Sequence, residues 1–118
     1  MTQIKTFRDL VAWQKGMELA RRIYQETQAM PAGERFGLTN QMRRAAVSVP
    51  SNIAEGYGRQ SRLDYVKFLR TARGSLMELM TQYQLAIELN MLKPNPPTYN
   101  LLEEIDRVLQ GLIRSLNK

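Results

Sequence analysis

Apolar residues recur at intervals of three and four along four stretches of this chain, which is the spacing of a buried helical face. The predicted helices span about Asp9–Ala29, Thr39–Tyr57, Ser61–Glu88 and the region from Thr98 onward, with Thr39, Ser61 and Thr98 as N-caps. Short breaks between long amphipathic helices favour antiparallel neighbours. The pattern therefore predicts an all-α fold, an antiparallel up-down four-helix bundle that occupies residues 1–118 as a single domain.

Glycine and proline mark the breaks between these helices. The segment Pro31–Gly33 ends the first helix, Gly56–Gly58 ends the second, and Lys93–Pro97 should form a non-helical connection before the fourth. Phe36 is expected to pack where the chain enters the second helix, and Leu63 to begin the apolar stripe of the third. The sequence shows no repeat, no low-complexity tail and no linker to a second domain.

The second predicted helix carries a polar row on one face and a proline near its middle. The row consists of Arg44, Ser48, Asn52 and Glu55, at the spacing of one helical face. Pro50 has no N–H, so the carbonyl of Ala46 loses its helical donor, and nearby Ser or Asn side chains or a water would compensate. Arg44 and Glu55, about 16 Å apart along one helix, would pair between helices or subunits. The row is either a ligand-binding surface or a structural or subunit-interface network, and the proline favours the second role.

The same helix contains the segment Gln41–Arg59, QMRRAAVSVPSNIAEGYGR, in which small residues predominate. Together with FRDLVAWQK at Phe7–Lys15, ERFGLT at Glu34–Thr39 and FLRTARGSLMEL at Phe68–Leu79, it resembles the signature of the bacterial protein family encoded in 23S rRNA intervening sequences. Relatives of that family include the accessory variability proteins of diversity-generating retroelements. The resemblance implies a four-helix bundle that forms a homo-oligomer, a homopentameric ring with a basic channel or face. In the retroelement branch it implies a reverse transcriptase as partner.

The charge of the chain is strongly positive. It contains 17 basic and 11 acidic residues, a formal net charge of +6. The excess lies before residue 94, because the last stretch, 94–118, balances three basic against three acidic residues. Such a charge favours an anionic partner, and nucleic acid is the natural candidate. A bundle whose arginine-rich surface serves solubility alone would have the same composition.

A group of basic residues at the start of the third predicted helix is the best candidate for nucleic-acid binding. This basic cluster consists of Arg59, Arg62, Lys67, Arg70 and Arg73. Three of its arginines fall within about 80° of one another on a helical wheel, and Asp64 is the only acid expected nearby. Guanidinium groups on a rigid helix suit phosphate contacts, although ordinary solvated charge would give the same pattern. Tyr57 and Tyr65 lie close enough to stack on bases or, alternatively, to pack in the bundle.

The composition leaves little for catalysis or metal binding. The chain has no cysteine and no histidine, which removes disulfides, thiolate chemistry and the usual general base. The acidic group Glu103, Glu104 and Asp106 is better explained as a solvated helix face. We therefore expect no enzyme activity, no metal and no cofactor. The first residues include no long apolar stretch, so we also expect no signal peptide, no membrane span and a cytoplasmic location.

These features predict a non-enzymatic, basic, oligomeric protein that binds nucleic acid or scaffolds an RNA-containing complex. The resemblance suggests a reverse transcriptase or an rRNA intervening sequence as its setting. The alternative is a protein–protein interaction module without direct nucleic-acid contact, whose positive charge serves solubility and partner choice. Salt dependence separates the two, because phosphate contacts weaken steeply as salt increases.

Overall fold

The computed structural model describes residues 3–117, and in that range the chain forms four α-helices and no strand. The helices are α1 (Val11–Thr27), α2 (Leu38–Tyr57), α3 (Arg62–Glu88) and α4 (Pro96–Leu116). Single turns of 3-10 helix at Phe7–Asp9 and Ala32–Glu34 precede α1 and α2. The predicted all-α, four-helix fold is confirmed.

The helices pack as a closed square in which each one contacts the next, and α4 returns to α1. Between α2 and α3, Ser48 meets Ser75, with 2.8 Å between their hydroxyl oxygens. Further along α2, Gly56 meets Phe68, which comes earlier in α3. In the other three pairs of neighbouring helices, residues near the end of one helix likewise contact residues near the start of the other. Reversed order is the arrangement of antiparallel neighbours, so the chain runs up and down through the bundle.

The core consists of the side chains that the helical spacing brings to the inside. The largest aliphatic ones, all less than 2% exposed, are Leu19, Ile23, Met42, Ile53, Leu69, Leu76, Leu79, Leu102, Ile105 and Leu109. Some predicted packing residues lie outside this core, most clearly Leu63, which is 80% exposed, and Phe36, which is 89% exposed. Leu63 is in the first turn of α3, two residues before Tyr65, and it is at Tyr65 that the end of α2 packs on α3. Phe36 precedes α2 in the loop.

Two of the three predicted N-caps differ from the structure. Ser61 caps α3 as predicted, because its hydroxyl accepts a hydrogen bond from the Asp64 N–H at 3.2 Å. Helix α2 instead begins one residue before Thr39, which is buried, its exposed fraction being 7%. The carboxylate of Glu34 accepts from the Leu38 N–H at 3.1 Å and so supplies the acceptor expected from Thr39.

Helix α4 begins inside the segment that was expected to be non-helical. Pro96 and Pro97 occupy its first positions, where a backbone N–H has no intrahelical partner and proline is therefore tolerated. Thr98 lies within this first turn and does not cap it. Its hydroxyl donates to the carboxylate of Glu26 in α1 at 2.5 Å, so this residue joins two helices.

Candidate nucleic-acid interface

The basic cluster follows the first half of α3 and the turn before it. Arg59, Arg62, Lys67 and Arg70 are exposed, whereas Arg73 is half-buried. A 27-residue helix is a rigid support, so the spacing of these charges is fixed by the backbone. The cluster is less uniform than the sequence suggested, because Arg59 and Arg73 have acidic partners within the chain.

Arg73 is held by an acid from another helix. Its Nε donates to an Asp106 carboxylate oxygen of α4 at 2.6 Å. This hydrogen bond and the attraction of the carboxylate raise the pKa of Arg73 above its ordinary value. The other carboxylate oxygen accepts from the Gln110 amide at 2.9 Å. The expectation that Asp64 is the only nearby acid is therefore wrong, since folding brings Asp106 beside the cluster.

Arg59 is also partly neutralised. Its guanidinium lies 3.3 Å from a carboxylate oxygen of Glu55 and 4.7 Å from the centroid of the Phe68 ring. Exposed pairs of this kind are worth about 0–1 kcal/mol, so a stronger anion can displace the carboxylate. Among the cluster residues, Arg59 is thus positioned at the surface by one acid and one aromatic ring.

The structure adds a basic residue that the sequence reasoning missed. A groove between α3 and α4 is lined by Arg70, Arg73, Gly74, Met77, Gln110, Ile113 and Arg114. We call it the α3–α4 groove. Arg114, in the last turn of α4, faces the cluster across this groove and is exposed. Arg114 was not singled out because residues 94–118 have no net charge. The sequence nevertheless places it seven residues after Arg107, on the same helical face.

The two tyrosines near the cluster pack on each other and on the core. The rings of Tyr57 and Tyr65 meet edge to face, with centroids 6.0 Å apart. Both are half-buried, and burial together with the neighbouring Tyr57 raises the pKa of Tyr65. The sequence left base stacking and packing in the bundle open for these tyrosines, and their contacts are those of packing residues.

The polar row is divided in the structure. The Asn52 amide nitrogen donates to the Ser48 carbonyl at 2.8 Å and to the Ser48 hydroxyl at 2.9 Å, and that hydroxyl bonds Ser75 of α3. The Asn52 amide therefore donates its hydrogen bonds to Ser48 and not to the Ala46 carbonyl, which Pro50 leaves without its helical donor. The ends of the row lie apart from this network, since Arg44 is exposed and Glu55 pairs with Arg59. Sequence reasoning missed Ser75, which belongs to a different helix.

Two acidic residues of α4 pair with basic residues of other helices. Glu104 lies 3.2 Å from the ammonium of Lys15 in α1, and Asp106 holds Arg73. Within residues 3–117, no three acidic side chains are grouped so that they could hold a metal ion. No helix in the same range combines the length and the apolar character needed to cross a membrane.

The comparisons with known proteins place these features in a family. The family model described as 23S rRNA-intervening sequence protein matches residues 8–113, which include the basic cluster and the polar row. The chain is also similar to a crystal structure of a protein with unknown function from the S23 ribosomal protein family of Bacteroides thetaiotaomicron, with 25% identity and a TM-score of 0.80. That match covers 87% of this chain and 98% of the other. No curated protein matches the chain.

Proposed function

Since this chain belongs to the 23S rRNA-intervening sequence protein family, we propose that it is a non-enzymatic, RNA-binding scaffold of the bacterial cytoplasm. The observation that carries the proposal is the placement of exposed basic side chains along α3, with Arg114 of α4 facing them. Phosphate contacts need positive groups at fixed positions more than they need a shaped pocket. A helix bundle with a basic face meets that need.

The acidic partner of Arg73 supports binding to phosphates over idle surface charge. Asp106 holds Arg73 in a defined position, while Arg70 and Lys67 stay exposed beside it. An arginine whose orientation is already fixed loses less conformational entropy when it binds a phosphate. The face is thus both positive and partly preorganised.

The proposal includes assembly into a homo-oligomer, a homopentamer by family resemblance. The outer side of α2 supports this through the apolar Val47, which is 42% exposed, and the small, exposed Ser51 one turn later, whereas Ala45, Ala46 and Gly56 are buried in the bundle. Small side chains let a second copy approach closely. Repetition of the basic face around such an assembly would strengthen RNA binding through avidity.

The RNA in this proposal belongs either to an rRNA intervening sequence or to a retroelement complex that contains a reverse transcriptase. Both settings require contact with structured RNA, so the basic face serves each of them. The genes beside this one distinguish the settings, because a reverse transcriptase gene would favour the retroelement.

The test replaces three exposed members of the cluster together, as Arg62→Gln, Lys67→Gln and Arg70→Gln. Binding to an RNA stem-loop is measured from low to moderate salt by fluorescence anisotropy. We expect weaker binding and a salt slope shallower by about 0.7–0.9 for each phosphate that the variant no longer neutralises. The weakening should be similar for stem-loops of different sequence, because phosphate contacts carry no direct sequence information.

A matched control removes the same charge elsewhere, as Arg21→Gln, Arg35→Gln and Lys93→Gln, which are all exposed and outside α3. This variant should keep the wild-type salt slope. If both triple variants bind the stem-loop as the wild type does, the basic face is not an RNA site and the protein–protein interaction alternative gains support.

A further inference from the structure

The α3–α4 groove combines positive charge with an apolar floor. Arg70 and Gly74 are exposed at its α3 side, and Arg114 is exposed at its α4 side. Between them lie Met77 and Ile113, which are half-buried and pack against the core. The part of this floor that the core leaves uncovered can receive the apolar part of a negatively charged ligand.

Gly74 keeps the groove open. A Cβ built on this residue would meet no atom within 4 Å, so the space above it is empty. Glycine in the interior of a helix is unfavourable by about 1 kcal/mol relative to alanine. At Gly74 the local backbone needs no positive φ, since no glycine of the described residues has one. The absent side chain gives the flat wall that a planar ring can approach.

Two polar side chains of the groove, Arg73 and Gln110, are held by hydrogen bonds within the protein before any ligand binds. Asp106 holds the Arg73 guanidinium at 2.6 Å and the Gln110 amide nitrogen at 2.9 Å. Gln110 keeps its amide oxygen as a hydrogen-bond acceptor. The Arg73 guanidinium is planar, and such planes stack on bases. The groove therefore offers a flat cation, an amide acceptor and an apolar floor together.

We propose that the α3–α4 groove binds one unstacked base of a single-stranded nucleic acid, while Arg70 and Arg114 contact the phosphates on either side of it. The inference rests on the proposed function and narrows its ligand to single-stranded segments, such as the loop of a stem-loop. A duplex keeps its bases stacked inside and presents only its backbone, so it cannot fill the apolar floor. Charge complementarity selects nucleic acid, because three guanidinium groups surround the groove and one carboxylate offsets them.

The test compares oligothymidine of twelve nucleotides with an abasic strand that has the same number of phosphates. Wild-type protein should bind oligothymidine about fivefold or more tightly, the lower end of what a stacked base contributes. Gly74→Leu fills the groove with an aliphatic side chain that cannot stack on a base, and it should reduce this preference to about onefold. Gly33→Leu is the matched control, because its site is also open but lies in the turn before α2, and it should keep the preference.

Gly74→Leu and Gly33→Leu should both keep the helical circular dichroism of the wild type, since both sites are open. A second variant, Ile113→Ser, removes part of the floor and should lower the same preference. Equal wild-type affinity for the two strands, or an unchanged preference in Gly74→Leu, would overturn the inference while leaving phosphate binding intact, and the groove would then suit an acidic protein segment. Failure of the wild type to bind either strand or the stem-loop would overturn the proposed function itself.

Discussion

At the scale of single residues, the proline inside α2 is explained by a glycine in α1. Pro50 and Gly16 are both buried, and the helix continues through the proline from Leu38 to Tyr57. A Cβ on Gly16 would lie 3.3 Å from the Cβ of Pro50, which is tighter than an ordinary contact. The pyrrolidine ring therefore serves as a compact apolar group at a close contact between α1 and α2. Each residue is unfavourable in a helix alone, and the packing between them compensates.

This contact gives a prediction about stability. Gly16→Leu should lower the free energy of unfolding by about 1–3 kcal/mol, because the added side chain would have to displace the Pro50 ring or separate the helices. Urea unfolding followed by circular dichroism measures the change. Gly74→Ala should instead stabilise the protein, since its site is open. A Gly16→Leu variant as stable as the wild type would show that α1 and α2 can separate without cost.

At the scale of elements, the end of α3 depends on a residue with left-handed backbone geometry. Asn90 has φ 60°, and the Met91 N–H donates to the Ala86 carbonyl at 2.8 Å. The Asn90 N–H donates to the Ile87 carbonyl at 3.0 Å. This pair of bonds is a Schellman motif, which ends the helix and turns the chain toward α4. Asparagine is among the few residues that adopt this geometry readily.

The corresponding prediction concerns two substitutions at one position. Asn90→Val should lower the free energy of unfolding by about 1–2 kcal/mol, because a β-branched side chain clashes in the left-handed region. Asn90→Gly should leave it unchanged or slightly higher, since glycine adopts this geometry without a Cβ penalty. Thermal melting of both variants measures the difference. Equal melting temperatures for the two would mean that the end of α3 rearranges freely.

The elements were predictable because their signals are local. The helical spacing, the Ser61 cap and the Asn90 terminus each involve residues within one turn of each other, and the structure has all three. The predicted α2 cap was wrong because the Glu34 carboxylate supplies the acceptor. The predicted α4 cap was wrong because Pro96 and Pro97 start that helix before Thr98.

The candidate site was only partly predictable for a related reason. A helical wheel finds Arg62, Arg70 and Arg73 because they share one helix. It gives no information about Asp106, 33 residues after Arg73, or about Ser75, 27 residues after Ser48. The groove and the polar network both depend on which helices become neighbours, so they emerge only in the folded bundle.

At the scale of the whole molecule, one carboxylate connects three helices at the same end of the bundle. Glu26 of α1 accepts from the Tyr83 hydroxyl of α3 at 2.6 Å and from the Thr98 hydroxyl of α4 at 2.5 Å. Tyr83 is fully buried, and its ring lies 6.4 Å from that of Tyr99. Hydrogen bonds to a charged acceptor are stronger than those between neutral groups. This junction ties the start of α4 to α1 and α3.

The junction should make the fold sensitive to alkaline pH. Burial, followed by the hydrogen bond to Glu26 and the charge of that carboxylate, raises the pKa of Tyr83 well above its ordinary value. In the unfolded chain a tyrosine loses its proton near pH 10, about its unperturbed pKa. The folded state then binds the proton more tightly, so the stability contributed by Tyr83 is complete below about pH 10 and is lost as pH rises toward the folded-state pKa.

Tyr83→Phe tests this dependence, because phenylalanine keeps the ring and removes the titrating group. Urea unfolding from about pH 8 to about pH 11 should show a steep loss of stability above about pH 10 for the wild type, and a shallower loss for Tyr83→Phe. Some loss should remain, since the pKa of Tyr65 is also raised by burial. Tyr99→Phe is the matched control: Tyr99 lies beside Tyr83 but is 39% exposed, so this variant should follow the wild type. If Tyr83→Phe and the wild type lose stability in parallel, the Tyr83 proton does not hold the three helices together.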